Sequence, residues 1–417
     1  MNPLAIFLSA VLAVFFLGLS ASPQAQTLNC NSSYGVSASA PGSAGQACFD
    51  KAQQFIDAFN TGGLKGLAPT YTGNQPISVV GRFNDVDITS GYAVLNSPIL
   101  TFSIPQLGVN QSFTGSGAGI SAQRDDAARQ LGDYLKKNGI LDQIWRYQAQ
   151  NSASSPISGV GGLIPSTVAS DFDANFNQTG SQIAAQPGGV NNNAVGIGLN
   201  YSSFSVSNRP NISSFTLPLS YSIKNDIDPR RQLNISMPIT VVSVGDAKTY
   251  HGGLGAAYRI PMSDRWTITP GARYSATVSK DQASIAGLFS GSVASTYVFE
   301  QDAFDITVGN MIGYYATQKF TAGDYSFNPG IKNTVLRNGV MLTQPVMALG
   351  QAMSVEYSII DTRYLGTDVF MDNTQEVGVT LGTSKRATSA RSYLRAGMSY
   401  THGPSISGFT LKLGYWF

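Results

Sequence analysis

Phe409-Thr410-Leu411-Lys412-Leu413-Gly414-Tyr415-Trp416-Phe417 closes the chain, and its odd-numbered positions are all apolar or aromatic while Thr410, Lys412 and Gly414 are small or polar. A period of two is that of a β-strand whose faces meet different surroundings. Phe409, Leu411, Leu413, Tyr415 and Phe417 suit hydrocarbon, and the Lys412 face suits a wetted interior. The alternation recurs upstream: Phe215, Leu217, Leu219, Tyr221 and Ile223 oppose Thr216, Pro218, Ser220 and Ser222, and Trp266, Ile268, Ala272, Tyr274, Ala276 and Val278 oppose Thr267, Thr269, Gly271, Arg273, Ser275 and Thr277. Clear alternation falls near 195–201, 215–223, 233–241, 254–260, 266–278, 304–314, 353–359, 377–381, 394–400 and 409–417. Two weaker stretches, Ile285–Phe299 and Val335–Leu349, are long enough for one strand each and bring the total to twelve. An even total is what a closed antiparallel barrel needs when both ends emerge on one side. The expected fold is an all-β transmembrane barrel over 191–417, set in the lipids of a Gram-negative outer membrane.

A soluble β-sandwich also alternates, but three features weigh against it. Tyr201, Tyr221, Trp266, Tyr314, Tyr400 and Tyr415 sit in the outward set toward strand ends, where amphipathic rings suit a membrane interface. The opposing set is Gly, Ser, Thr and Asn with some charge, too polar for a dry core. Tyr415 and Phe417 end the last strand as an aromatic signal that the outer-membrane insertion machinery reads. Composition agrees: charged residues make up 12% of the 417, about half the ~25% of a soluble domain. Beyond the N-terminus no run reaches the roughly 18 apolar residues of a spanning helix. The formal net charge of +2 and scattered basic residues exclude a nucleic-acid surface.

Leu4 to Leu19 is almost unbroken apolar sequence followed by Ser20-Ala21-Ser22, which predicts a secretory signal peptide over 1–26 with cleavage between Ala21 and Gln26. In an exported chain, Cys30 and Cys48, the only cysteines, read as one disulfide. The Ser/Gly/Ala/Asn-rich stretch 27–48 predicts an exposed loop. Phe49, Ala52, Ile56 and Phe59 then repeat at helical spacing until Gly62-Gly63 ends the pattern. Ile77 to Phe113 reads as short strands, either a small sheet or a stub of β-helix. Residues 27–115 thus form a small mixed α/β region. In 116–190, a helix with Ala127, Ala128, Leu131 and Leu135 on one face runs to Asn138-Gly139, and Ile140 to Trp145 continue it. Its charged residues, Arg124, Asp125, Asp126, Arg129, Asp133, Lys136 and Lys137, are expected on a solvated side. From Asn151 to Gly189 the composition is that of a polar linker, apart from Leu163-Ile164 and a helical piece over Ser166–Phe176.

A twelve-stranded C-terminal barrel, a preceding helix and a final aromatic together resemble the translocator domain of autotransporters, and more closely the solitary autotransporter-like barrels that lack a large passenger. The resemblance covers about 120–417. It implies a helix inside the pore, supplied here by Gly119–Gln150 or by Ser166–Phe176. It also implies a passenger, for which only 27–115 is available, too little for a long β-helix. Asn191-Asn192-Asn193 falls where some autotransporters cleave. By strand parity Arg259, Arg273, Arg395 and Lys412 face the lumen, as do Asp305, Glu356 and Glu376. Charges of both signs can hold a polar helix through ion pairs, or simply line a wetted pore.

Chemistry is sparse. His251 and His402 lie at polar strand ends or loops, and His402-Gly403-Pro404-Ser405 reads as a turn before it reads as half of a hydrolytic triad. Asp361, Asp368 and Asp372 are a loose cluster that loop solvation explains. No metal-ligand spacing or phosphate-binding glycine loop is present, so no catalytic residue, cofactor or metal is expected. The leading expectation is a non-enzymatic autotransporter-like barrel displaying its own N-terminal segment. A diffusion channel plugged by that segment is the alternative, and an outer-membrane lipid- or peptide-hydrolysing enzyme the next.

Overall fold

A computed structural model describes residues 28–59, 61–176, 193–207, 209–228, 230–322, 325–348, 350–384 and 393–417. The expected signal peptide and Asn191-Asn192 lie outside the described residues. Twelve antiparallel strands close into a barrel: β7 (Ala194–Val206), β8 (Ile212–Lys224), β9 (Gln232–Val244), β10 (Ala247–Pro261), β11 (Trp266–Ser279), β12 (Ser284–Glu300), β13 (Asp305–Gln318), β16 (Lys332–Ala348), β17 (Gln351–Gly366), β18 (Asn373–Thr383), β19 (Tyr393–Gly403) and β20 (Ile406–Trp416). A short hairpin, β14 (Phe320–Ala322) with β15 (Tyr325–Phe327), interrupts the connection between β13 and β16. The weaker stretches Ile285–Phe299 and Val335–Leu349 are β12 and β16.

The seam joins the first strand to the last. Gly196 stands opposite Trp416 and Val206 opposite Ile406, and Val195 and Phe417 exchange both backbone hydrogen bonds at 2.8 and 3.0 Å. Both ends of the barrel segment therefore lie at one mouth, here called the terminal mouth, and the opposite one is the distal mouth. Exposed side chains around the wall are apolar. Tyr221, Trp266, Tyr297 and Tyr415 form a girdle near the terminal mouth, and Tyr201, Tyr250, Tyr274, Tyr314 and Tyr400 form another toward the distal mouth. Leu199, Ile239, Leu254, Val293, Ile312, Val340 and Val379 fill the band between them. An apolar band between aromatic girdles on a closed barrel is the surface of an outer-membrane protein, because closure leaves no unpaired backbone in the hydrocarbon.

The N-terminal residues fold as a cap. Six antiparallel strands, in the order β2-β1-β3-β4-β5-β6, comprise β1 (Tyr34–Ala40), β2 (Ser43–Phe49), β3 (Ile77–Phe83), β4 (Val86–Tyr92), β5 (Ile99–Ile104) and β6 (Val109–Thr114). The exposed loop expected over 27–48 is instead the β1–β2 hairpin. Pro41-Gly42, with Gly42 at φ 84°, makes its turn, and Tyr34, Val36, Ala38 and Ala40 lie in the core. Small side chains masked the alternation there. The Cys30–Cys48 disulfide is present, and closing a loop of this length contributes about 3 kcal/mol by restricting the unfolded chain. Consecutive antiparallel pairing rules out the β-helix stub. Gly62-Gly63 does not end the helical region: after α1 (Ala52–Phe59), α2 (Thr61–Leu67) begins at once. A Cβ at Gly63 would meet the Ala58 Cα at 2.6 Å, so the glycine permits the sharp reversal.

Helices α3 (Ile120–Lys137) and α4 (Ile140–Asn151), joined by Gly139 at φ 65°, pack on the same face of the sheet. The division expected at 115/116 therefore runs through a single core. Arg124, expected on the solvated side, is buried, with its guanidinium 3.7 Å from the Tyr92 ring centroid. It donates to the carbonyls of Gly73, Asn74, Gln75 and Ser97 at 2.5 to 3.3 Å. Asp126 is solvated as expected of that side, and accepts from Ser116 N–H and Oγ–H, both at 2.9 Å, which pulls its carboxyl pKa down to about 2.

Candidate functional site

The cap sits on the distal mouth. The two-residue turn Asn84-Asp85, both residues at positive φ, joins β3 to β4 as a tight hairpin. It projects Asp85 into an ion pair with Arg209 in the β7–β8 connection. Asp50 Oδ2 accepts the Asp246 N–H at 3.1 Å, and the Ala52 N–H donates to the Asp281 carbonyl at 2.7 Å. Arg146 Nε donates to the Pro329 carbonyl, Asp142 accepts the Asn328 N–H and the Phe370 N–H donates to the Ala149 carbonyl, each at 2.9 Å. These contacts run round the mouth from the β7–β8 connection to the β17–β18 connection. Ala283 and Phe327, from the barrel's distal connections, enter the cap's own hydrophobic core.

From the cap the chain descends into the barrel. Residues 152–162, read from sequence as linker, are packed: Ser152, Ser155, Ser158, Ala153, Ile157 and Val160 are all buried. Ser152 and Ser154 hydroxyls donate to Asn84 Oδ1 at 3.1 and 2.7 Å. Ala153 and Val160 meet Val206, Ile212, Val242, Val244, Met371 and Ile406 in an apolar collar. Helix α5 (Leu163–Phe176) follows. Asp171 reaches Arg273 on β11 while Asp173 reaches Lys412 on β20, strands on opposite sides of the closed order. The helix therefore lies inside the lumen. Of the two stretches expected to supply such a helix, Gly119–Gln150 belongs to the cap and Ser166–Phe176 is inside.

Burial along α5 repeats at helical spacing. Leu163, Ile164, Thr167, Val168, Asp171, Phe172, Asn175 and Phe176 are buried, while Pro165, Ser166, Ala169, Ser170, Asp173 and Ala174 are partly exposed. The buried face packs on β12, β13 and β16 through Leu288, Met311, Tyr315, Val335 and Met341. A Cβ at Gly339 would sit 3.1 Å from both Phe172 and Phe176, and one at Gly309 would collide with the Phe176 ring. These two glycines make room for the aromatic pair, whose centroids are 4.9 Å apart. Asp171 is the polar centre of this face: Arg273 Nε donates to it at 2.6 Å, and the Ser290 and Tyr315 hydroxyls donate at 3.2 Å.

The inward residues named from strand parity are placed as follows. Arg259, Arg273, Asp305 and Glu356 are buried against the lumen side. Arg395 pairs with Glu356, and Glu376 joins Lys412 at 3.1 Å and Arg337 at 3.1 Å. Tyr415 and Phe417 face outward, with stacked rings 5.5 Å apart. Sequence reasoning missed Arg337, Asp171 and Asp173. Arg337 had a parity signal that was blurred by apolar Val335 and Met341 on its own inward face and by Asn338 among the outward residues.

His251 lies near the distal end of β10 and is buried, and His402 is near the distal end of β19. Among the described residues neither is hydrogen-bonded to both a nucleophile and a carboxylate. Pro404-Ser405, with Ser405 at φ 60°, is the β19–β20 turn. Asp361 accepts from Arg363 and Gln375 at 3.0 and 2.8 Å. Among the described residues no group of acidic, His or Cys side chains could hold a metal.

No protein-family model and no curated relative matches the sequence. Solved structures do match. The beta domain of the Bordetella autotransporter BrkA aligns at 14% identity over 54% of this chain and 98% of its own, with a TM-score of 0.42. The translocator domain of the autotransporter NalP from Neisseria meningitidis aligns at 13% identity over 61% of this chain and 97% of its own, TM-score 0.43. The KdgM porin in complex with disordered oligogalacturonate aligns at 11% identity over 53% and 98%, TM-score 0.34. The likeness is one of barrel architecture, shared by translocators and channels.

Proposed function

We propose that this protein is a non-enzymatic outer-membrane barrel of autotransporter type that carries its own N-terminal domain to the cell surface and keeps it there as a cap. The observation that carries the reading is α5: its chain runs from a folded domain at the distal mouth, through the lumen, toward the terminal mouth where β7 starts. Export with a signal peptide over 1–26 and assembly through Tyr415 and Phe417 would deliver the barrel from the periplasmic side, leaving the terminal mouth in the periplasm and the cap outside. Within the lumen α5 then acts as the plug, and the barrel's partners are lipid and the insertion machinery rather than a substrate.

Cysteine labelling tests the orientation, because the native cysteines are joined and free thiols are absent among the described residues. With Gln111→Cys, on the exposed edge strand β6, a membrane-impermeant maleimide should label intact cells. With Asp226→Cys, in the β8–β9 connection at the terminal mouth, labelling should require a permeabilised outer membrane. The reverse pattern sinks surface display. A channel closed by the same cap is a second reading, favoured by the partly exposed inward residues Asn200, Ser202, Ser214, Thr216, Ser220 and Ser236.

A further inference from the structure

The apolar band of the outer wall is broken over β13 and β16. Asn310 and Asn338 stand directly opposite one another, face outward and are exposed. Val308 opposite Val340 and Ile312 opposite Leu336 frame them on either side. Along β13, Asn310 is four residues from Tyr314 of the distal girdle and six from the exposed Phe304 toward the terminal mouth. At ~3.3 Å per residue and a tilt of ~40°, it lies about 10 Å inside the hydrocarbon from the Tyr314 ring. On β7 and β8, across the closed order, Ile197, Leu199, Leu217 and Leu219 fill the band instead.

The polar row continues to both sides, and there it is satisfied. Ser295, opposite Asn310 on β12, accepts the Trp266 Nε1–H at 2.9 Å. Asp361, opposite Asn338 on β17, accepts from Arg363 Nε at 3.0 Å and from Gln375 Nε2 at 2.8 Å. Between them, the Asn310 and Asn338 carboxamides make no hydrogen bond among the described residues. Together they offer four N–H donors and two carbonyl acceptors. Acyl chains satisfy none of these, so a bare pair at this depth is costly.

We propose that the outer wall over β13 and β16 is an interface at which two copies of this chain pair side by side in the membrane, their Asn310 and Asn338 carboxamides hydrogen-bonding across a twofold axis parallel to the barrel axis. A carboxamide is donor and acceptor at once, so another carboxamide at the same depth matches it. A twofold axis along the membrane normal brings equal depths together, and so sets each asparagine pair against its own counterpart. Val308, Ile312, Leu336 and Val340 close round the polar centre and keep lipid from it. At the edge of the patch Asp361 lies beside Arg363, so the two approaching surfaces carry balanced charge. The interface stands whichever mouth faces the periplasm and is independent of the display reading.

Oxidative cross-linking of the full-length protein in mixed phosphatidylethanolamine and phosphatidylglycerol vesicles tests it, since the chain's two cysteines are already joined to each other. Val340→Cys, beside the asparagine pair, should give a disulfide-linked dimer. Leu199→Cys, on the far wall, should give only the product of random collisions. In the Val340→Cys protein, Asn310→Leu together with Asn338→Leu should weaken association about tenfold, as for the loss of two hydrogen bonds between membrane segments. Asn310→Gln together with Asn338→Gln, which keeps both carboxamides, should retain the dimer. Equal yields from Val340→Cys and Leu199→Cys, or a dimer undiminished by the leucine pair, overturn the interface. If the leucine pair does not fold, the comparison of Val340→Cys with Leu199→Cys decides alone.

Discussion

One half of the lumen is built like a protein interior and the other like a wetted surface. Along β11, β12, β13 and β16 nearly every inward residue is buried, and the side chains that meet α5 include Leu288, Met311, Tyr315, Val335 and Met341. Along β7, β8, β18 and β19 the middle of the inward face is formed by Gly198, Asn200, Thr216, Ser220, Gly378, Thr380 and Gly397, which are partly exposed, while Ser222, Thr374 and Ser399 are buried. The helix follows suit, with its large residues on one side and Ser166, Ala169, Ser170 and Ala174 on the other. A barrel of this size is wider than one helix. The helix therefore chooses a wall, and hydrophobic burial of Phe172 and Phe176, about 1.5–3 kcal/mol each, decides which.

The strongest test of this asymmetry is Asp171→Asn. Asp171 and Arg273 are nearly inaccessible, with side-chain exposures of 10% and 3%, and removing one charge of such a pair costs about 3–5 kcal/mol because the other is left buried and unpaired. Urea unfolding of the barrel in detergent should show that loss, and single-channel conductance should rise as the helix loosens. The double variant Asp171→Leu with Arg273→Met, apolar on both sides, should recover most of the stability. A smaller effect is expected from Gly309→Val, which thrusts methyl groups into the Phe176 ring and should cost about 1–3 kcal/mol by overpacking. Ser220→Val, inward on the wetted side, should stay within about 0.5 kcal/mol. Equal losses for the two would show that the helix is not committed to one wall.

Much of this was written in the sequence, and the exceptions share a cause. Strand positions and the inward parity of Arg273, Glu356 and Lys412 follow from a period of two, because membrane and lumen impose opposite chemistries on alternate residues. Where both faces meet similar surroundings that contrast fades. On β16, Val335 and Met341 face the helix while Leu336 and Val340 face lipid, so Arg337 went unremarked. Residues 152–162 look like linker because Ser and Gly carry no apolar signal, yet their smallness permits the collar: a Cβ at Gly159 would lie 2.6 Å from the Ser155 nitrogen. Arg124 had a legible position. It precedes Ala128 by four residues and Leu131 by seven, on the apolar stripe of α3, but its charge suggested solvent while Gly73, Asn74, Gln75 and Ser97 supply carbonyls that only the tertiary fold brings near. The asymmetry of the lumen is of the same kind: no single strand records which wall the helix will take.

Among the ion pairs of α5, Lys412→Met is expected to have the smaller effect and is for that reason the most discriminating. Lys412 reaches across the wetted side to Asp173 at 3.3 Å and to Glu376 at 3.1 Å. If contact number alone set the energy, its loss would rival that of Asp171. Water decides otherwise. The side chains of Lys412 and Asp173 are 30% and 26% exposed, and an ion pair open to solvent contributes about 0–1 kcal/mol once ordering and screening are counted. Glu376 also keeps Arg337 as a partner at 3.1 Å after the substitution, so no buried charge is orphaned. Urea unfolding of Lys412→Met should therefore fall close to the parent protein, and raising the salt concentration should narrow the difference further, whereas the Asp171→Asn deficit should persist in salt. A loss for Lys412→Met as large and as salt-insensitive as that for Asp171→Asn would mean that the second half of the lumen is dry, and that the helix is gripped from both walls.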